Sequence, residues 1–210
     1  QSYAVNYTAA SSQYTAIGAA YNGVKTVEFW TYPTSTTNYF IDLNGTAYIS
    51  ATTGTISATG FTSPTIYVDG VVSSTLIANQ WQHIAVTTGT GLNASAMNIG
   101  KIATNYISGI IDEAAIYSTA LTAAQVSTDM MARRLKGSET GLQGLWHFDE
   151  GTSTAANDAS ANGYNGTLTN SPTWVTDARA VMDNNARYLA LGTSSAVNTD
   201  RGMELKITST

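Results

Sequence analysis

The chain of 210 residues contains no cysteine. That excludes a disulfide framework, thiolate catalysis and cysteine-ligated zinc. Charge is also scarce: Asp, Glu, Lys and Arg make up 11% of residues, against roughly 25% in an ordinary soluble domain. The formal net charge is −5, and the few cations are scattered apart from the pair Arg133-Arg134. Such a distribution gives no footprint for a phosphate backbone, so nucleic acid is not an expected partner. No uninterrupted apolar run approaches the ~18–20 residues of a membrane span, and no membrane insertion is expected. The chain is nonetheless no disordered polyelectrolyte, because 43% of it is hydrophobic and 10% aromatic, enough to build a core.

Thr, Ser, Ala, Asn and Gly take the places that charge would normally fill. This neutral polar texture is associated with secreted and virion-exposed β proteins, so the expected location is extracellular, on a cell surface or on a virion surface. The first residue is Gln1, and an upstream portion removed by a signal peptidase or a maturation protease is the corresponding expectation.

From Ser2 to about Lys101, short runs of Val, Ile, Tyr, Phe and Thr alternate with Gly, Asn and Ser, the pattern of an all-β chain. Strands are expected at Tyr3–Tyr7, Tyr14–Ile17, Thr26–Tyr32, Tyr39–Leu43, Ala47–Ala51, Thr65–Val68, Trp81–Thr87 and Ala96–Ile99. Asn44-Gly45, Asp69-Gly70 and Asn22-Gly23 are dipeptides that tolerate the positive φ of tight hairpins. Many short strands separated by turn signals imply a sandwich or barrel. One helix is expected, near 123–135. Thr122 and Gln125 form a capping-box pattern at its start, and Val126, Met130 and Met131 give it an apolar side. Arg133-Arg134 then falls where cations complement the helix dipole. Strand texture returns at Leu145–Phe148, Leu168 and Trp174-Val175, and again at Arg187–Leu191 and Met203–Ile207.

Several motifs, taken in order, resemble the laminin G-like, concanavalin A-like domains of bacterial and phage surface proteins. Thr65-Ile66-Tyr67-Val68-Asp69-Gly70 is followed by Trp81-Gln82-His83-Ile84-Ala85-Val86-Thr87 and Asn98-Ile99-Gly100. Gly109-Ile110-Ile111-Asp112-Glu113-Ala114-Ala115-Ile116-Tyr117 and a segment running from Ser118 to Val126 complete the succession. Val27-Glu28-Phe29-Trp30 resembles an early strand of the same family. The resemblance implies a two-sheet antiparallel jelly-roll sandwich over residues 1–137. Residues 138–210 resemble the opening of a second such domain, through Gly144–Gly151, Asn157–Leu168 and Pro172–Val175. Tyr188-x-Ala190-Leu191-Gly192 echoes Tyr14-x-Ala16-Ile17-Gly18. Opening strands alone would leave unpaired edges, so this trailing segment is expected to complete the sandwich on its own chain or to pair with a neighbouring subunit.

Some jelly rolls of this superfamily hydrolyse glycosides with carboxylates that flank the scissile bond, alternating along one strand so that they share a face. Asp112-Glu113 and Asp149-Glu150 are adjacent pairs whose members point to opposite faces. His83 and His147 lie in strand motifs with no G-x-S-x-G nucleophile nearby. A non-catalytic protein is expected. The loop from Asp158 to Gly166 is rich in oxygen donors, as Ca²⁺ requires, and many domains of the superfamily bind that ion. The resemblance implies Asp158 and Asn162 as ligands, with Asp112 or Glu150 as further contributors. The alternative is a loop in which Asp158 and Asn162 cap their own backbone. Trp30, Trp81, Trp146 and Trp174 each lie within a strand motif and are expected in the core. Tyr39, Tyr48, Tyr106 and Tyr164, near loop edges, are the candidates for stacking on a ligand.

Two functions follow as expectations. One is a surface-displayed recognition or adhesion module that binds glycan or a surface protein. The other is a structural subunit of a virion, such as a capsid decoration or tail protein, or of an extracellular assembly, with homo-oligomer or lattice neighbours as partners.

Overall fold

In the computed structural model, residues 2–132 and 134–177 are described in full, and residues 195–198 and 204–207 through their backbone. The strands of the first half are β1 (Tyr3–Tyr7), β2 (Tyr14–Ile17), β3 (Tyr21–Pro33), β4 (Asn38–Asp42), β5 (Tyr48–Thr52) and β6 (Thr55–Thr59). They are followed by β7 (Thr65–Val68), β8 (Val71–Val72), β9 (Gln82–Ala94), β10 (Met97–Ile99), β11 (Lys101–Ile102), β12 (Asn105–Tyr106) and β13 (Gly109–Tyr117). Helix α1 (Ala123–Met131) leads to β14 (Leu142–Trp146), β15 (Ala155–Ala156), β16 (Gly166–Thr169) and β17 (Thr173–Thr176).

An eight-stranded sheet runs β17-β1-β13-β3-β9-β7-β8, with β14 also paired to β13. A seven-stranded sheet runs β15-β16-β2-β10-β4-β5-β6. The ladders are antiparallel, so the fold is a two-sheet sandwich of the expected class. Val27, Phe29, Ile84, Val86 and Ile111 of the larger sheet face Ile17, Ile41, Ile49, Met97 and Ile99 of the smaller one in a single buried cluster. The Phe29 and Phe40 rings meet across the gap with centroids 5.3 Å apart. Strand alternation makes this possible, since successive side chains leave opposite faces and every second one reaches the interior.

The stretch after α1 hydrogen-bonds to strands of its own chain. β14 pairs with β13, β16 with β2 and β17 with β1. The resulting compact unit spans Gln1–Thr176, and a second spans Asp177–Thr210. In the second, β18 (Ser195–Asn198) and β19 (Glu204–Ile207) form an antiparallel hairpin. The expected strand at Arg187–Leu191, the echo at Tyr188–Gly192 and Arg133 lie outside the described residues.

Three local expectations are corrected. Asn22-Gly23 makes no hairpin: Gly23, at φ +70°, forms part of an irregularity inside β3, where the register with β9 shifts between Tyr21 and Thr26. The two strands approach so closely that a Cβ on Gly91 would lie 2.8 Å from the Gly23 Cα. A bulge thus lets β3 and β9 continue as a long ladder, where a turn would have ended it. The helix stops at Met131, because Ala132 is already extended, and Leu135 reaches its buried place from outside the helix. Of the four tryptophans only Trp146 is fully buried. Trp174 is half-buried against the core, its indole N–H donating to the Ser153 carbonyl at 2.8 Å. Trp30 packs on His83 and Trp81 on Tyr32, with centroids 5.3 and 5.9 Å apart, and both indoles are half-buried. Trp30 occupies an even position on β3, opposite in face to the core residues Val27 and Phe29, so it points away from the core.

Candidate functional site

The two outer faces differ in what covers them. On the eight-stranded sheet, Tyr67, Ala85, Ala115, Tyr117 and Leu145 form a second apolar cluster with Leu121, Val126 and Leu135. Helix α1 supplies Val126 to this cover. Thr122 caps the helix, its side chain and that of Gln125 each accepting from the other residue's backbone N–H.

Beneath α1 lies a set of titratable groups. The Glu28 carboxyl is 1% exposed, and the His83 Nε2 lies 3.6 Å from its Oε2. The Tyr117 hydroxyl is 3.0 Å from Glu28 Oε1 and 3.2 Å from Asp129 Oδ2. Burial, and then the nearby Asp129 carboxylate, push Glu28 well above the usual carboxylate range. Burial likewise raises Asp129. The Tyr117 hydroxyl thus stands between two carboxyl groups, one on β3 and one on α1. On the same sheet, His147 Nδ1 meets Glu113 Oε2 at 2.8 Å, with both side chains buried. These groups have the chemistry of acid–base pairs. Of these, Glu28, Tyr117 and Asp129 join β3, β13 and α1 on the covered face.

The donors expected around Ca²⁺ are engaged by the chain itself. Asp158 Oδ1 accepts the N–H groups of Leu145 and Ser160 at 2.9 and 2.8 Å, and its Oδ2 accepts that of Tyr164 at 2.8 Å. Asn162 donates its side-chain amide to the Gln143 carbonyl at 2.7 Å. Glu150 Oε1 accepts from the Asn157 N–H at 2.6 Å, and Asp112 Oδ1 from the Glu113 N–H at 2.9 Å. Among the described residues, no three His, Asp or Glu side chains converge on a metal-sized position. This donor set is hydrogen-bonded within the chain. It ties the loop around Asp158 to β14, in the manner of side-chain-to-backbone turns.

The seven-stranded sheet, by contrast, has an outer face on which, among the described residues of Gln1–Thr176, no helix packs. The registers place Tyr14, Ala16, Asn98, Asp42 and Tyr48 on this face, and Tyr39, Ser50 and Ser57 beside them. Thr55, Thr59, Thr167 and Thr169 extend it to either side. Of the four tyrosines singled out in the sequence, Tyr39 and Tyr48 lie on strands of this face, in β4 and β5. Tyr106, in β12, stands at its margin with its ring 6.1 Å from that of Tyr14. Tyr164 stands apart, exposed in the loop before β16 and edge-on to Tyr21 at 5.5 Å. Two further residues complete the group, Tyr14 and Lys101. The Lys101 Nζ lies 4.4 Å from the Tyr14 ring centroid and 5.8 Å from that of Tyr106. The alternation Tyr14-x-Ala16 carries a signal for Tyr14, but only the pairing of strands brings Lys101 to it. Asp42 is the one carboxylate on the strands of this face. It is buried, and its Oδ1 accepts the N–H groups of Asn44 and Gly45 at 3.0 and 2.6 Å.

No protein-family model matches the chain, and no relative is found among curated proteins. A solved structure from Bacteroides ovatus ATCC 8483, described as that of a "putative carbohydrate binding protein", superposes with a TM-score of 0.61 at 15% sequence identity. The match covers 83% of this chain and 60% of the other. The chain thus spans less than two thirds of that protein, and the likeness is one of fold.

Proposed function

We propose that the chain is a non-catalytic carbohydrate-binding module of laminin G-like, concanavalin A-like type, displayed outside the cell, with its glycan lying on the outer face of the seven-stranded sheet. The observation that carries this reading is the composition of that face. Tyrosine rings stand half-buried among threonine and serine hydroxyls, with no helix of the described residues in Gln1–Thr176 over them. A pyranose presents C–H groups on one side and hydroxyls around its rim, and such a face offers a partner for each. The fold is shared with the Bacteroides ovatus protein, whose description names the same class of ligand.

The absence of catalysis from this proposal rests on charge. Glycoside hydrolysis requires two carboxylates flanking the bond. On the strands of this face Asp42 alone is acidic, and it is engaged in its own turn. Nothing in the fold or the comparisons favours the virion-subunit expectation.

Affinity electrophoresis through gels containing polysaccharides tests the reading. The wild type is expected to be retarded by at least one glycan without releasing reducing ends. A double variant, Tyr39→Ala with Tyr48→Ala, is expected to run freely while keeping its circular dichroism spectrum. Unretarded wild-type protein across the panel, or undiminished retardation of the double variant, would contradict it.

A further inference from the structure

We infer that the glycan bound on this face carries an anionic substituent, a carboxylate or a sulfate, and that Lys101 is the group that receives it. The inference rests on the carbohydrate-binding reading and adds to it a class of ligand. Lys101 opens β11, which continues the line of β10 past Gly100, whose N–H bonds to the Phe40 carbonyl at 2.6 Å. The β11–β12 hairpin pairs Lys101 directly with Tyr106, so both side chains leave the same face. The ammonium is therefore fixed by Tyr14 and Tyr106 together, through attraction to the ring faces.

Among the described residues, no carboxylate forms an ion pair with Lys101, although the chain carries 14 acidic residues against 9 basic ones. Asp42, the acid on the adjoining strands, has its Oδ1 committed to backbone N–H groups. Among the described residues, an ammonium held on two rings keeps its N–H donors for a group from outside, and an oxyanion gains a charge-assisted hydrogen bond there. Strand spacing sets the scale. β4 adjoins the line of β10 and β11, and β5 lies next to β4, so Tyr48 stands about 10 Å from that line. That interval suits a short run of sugar rings, with one acidic group on Lys101 and neighbouring rings over Tyr39 and Tyr48.

Binding of the full chain should be measured against polygalacturonate and alginate, a sulfated galactan, and neutral galactan and glucan, each at low and high NaCl. An anionic polymer is expected to bind at least tenfold more tightly than the neutral ones and to weaken as salt rises. Preference for the uronates identifies carboxylate as the group received, and preference for the sulfated galactan identifies sulfate. Lys101→Met, which keeps an apolar stem on the rings, should abolish the preference, and Lys101→Arg should retain most of it. Equal binding of neutral and anionic polymers, or an undiminished preference in Lys101→Met, would overturn the inference while leaving carbohydrate binding intact. Failure of every polymer to bind would overturn both.

Discussion

The two sheets of this sandwich treat their outer faces in opposite ways. The eight-stranded sheet carries Ala85, Ala115, Tyr117 and Leu145 outward and covers them with α1 and Leu135. The seven-stranded sheet carries Tyr14, Tyr39, Tyr48 and a field of Thr and Ser outward, and no helix of the described residues in Gln1–Thr176 packs on them. Both faces are built on equally alternating strands, so the difference lies in the side chains alone. Small aliphatic residues leave room for a helix, whereas aromatic rings among hydroxyls form a surface that water and sugars can share. One face stabilises the fold, and the other is the one proposed to bind the ligand.

Substitutions should separate these roles. The largest loss is expected for Leu145→Ala, which empties a fully buried site of the covered face. It should cost about 2–5 kcal/mol of stability in denaturant unfolding, with glycan affinity unchanged in the protein that remains folded. Asp158→Ala comes next, because it strips the partners from three backbone N–H groups. Its expected cost is about 1–3 kcal/mol, and it should be the same with Ca²⁺ as with chelator. A cost that grows with chelation would restore a metal to the loop.

The covered face should also respond to pH. Burial raises Glu28 in the folded state, so the folded protein binds its proton more tightly than the unfolded chain. The resulting stability is full below the ordinary carboxylate pKa and is lost as pH rises through the raised folded value. His83, Tyr117 and Asp129 face the same group. Melting temperatures of the wild type should therefore fall on going from acid to neutral pH, and Glu28→Gln should flatten that slope. A wild-type profile that rises instead would contradict a Glu28 carboxyl raised by burial. Smaller still is Thr122→Ala, which removes the helix cap at about 1 kcal/mol. Smallest of all in stability is Tyr48→Ala, which should change it by less than about 0.5 kcal/mol and yet weaken glycan binding.

Much of the sandwich could be read from alternation and turn residues. β1, β2 and β7 lie at the expected positions, and Asn44-Gly45 and Asp69-Gly70 turn where positive φ is needed. The same dipeptide logic failed at Asn22-Gly23, because a strand that faces Gly91 can absorb the kink as a bulge. The tryptophans were harder, since burial depends on which face a strand turns inward, and Trp30 is outward-facing by parity alone. The site was legible only in part. Tyr39, Tyr48 and Tyr106 could be picked out as candidates, but their shared face depends on register between strands far apart in sequence. Lys101 carries no motif. Its role arises from a hairpin that lays it over Tyr14, 87 positions earlier in the chain.

Backbone hydrogen exchange, followed with and without a bound polysaccharide, compares the two faces most directly. Added protection should fall on β2, β4, β5 and the β10–β12 segment, while amides of α1 and β14 exchange at unchanged rates. Protection centred on α1 and the strands beneath it, with β4 and β5 unaffected, would contradict the assignment of the ligand to the uncovered sheet.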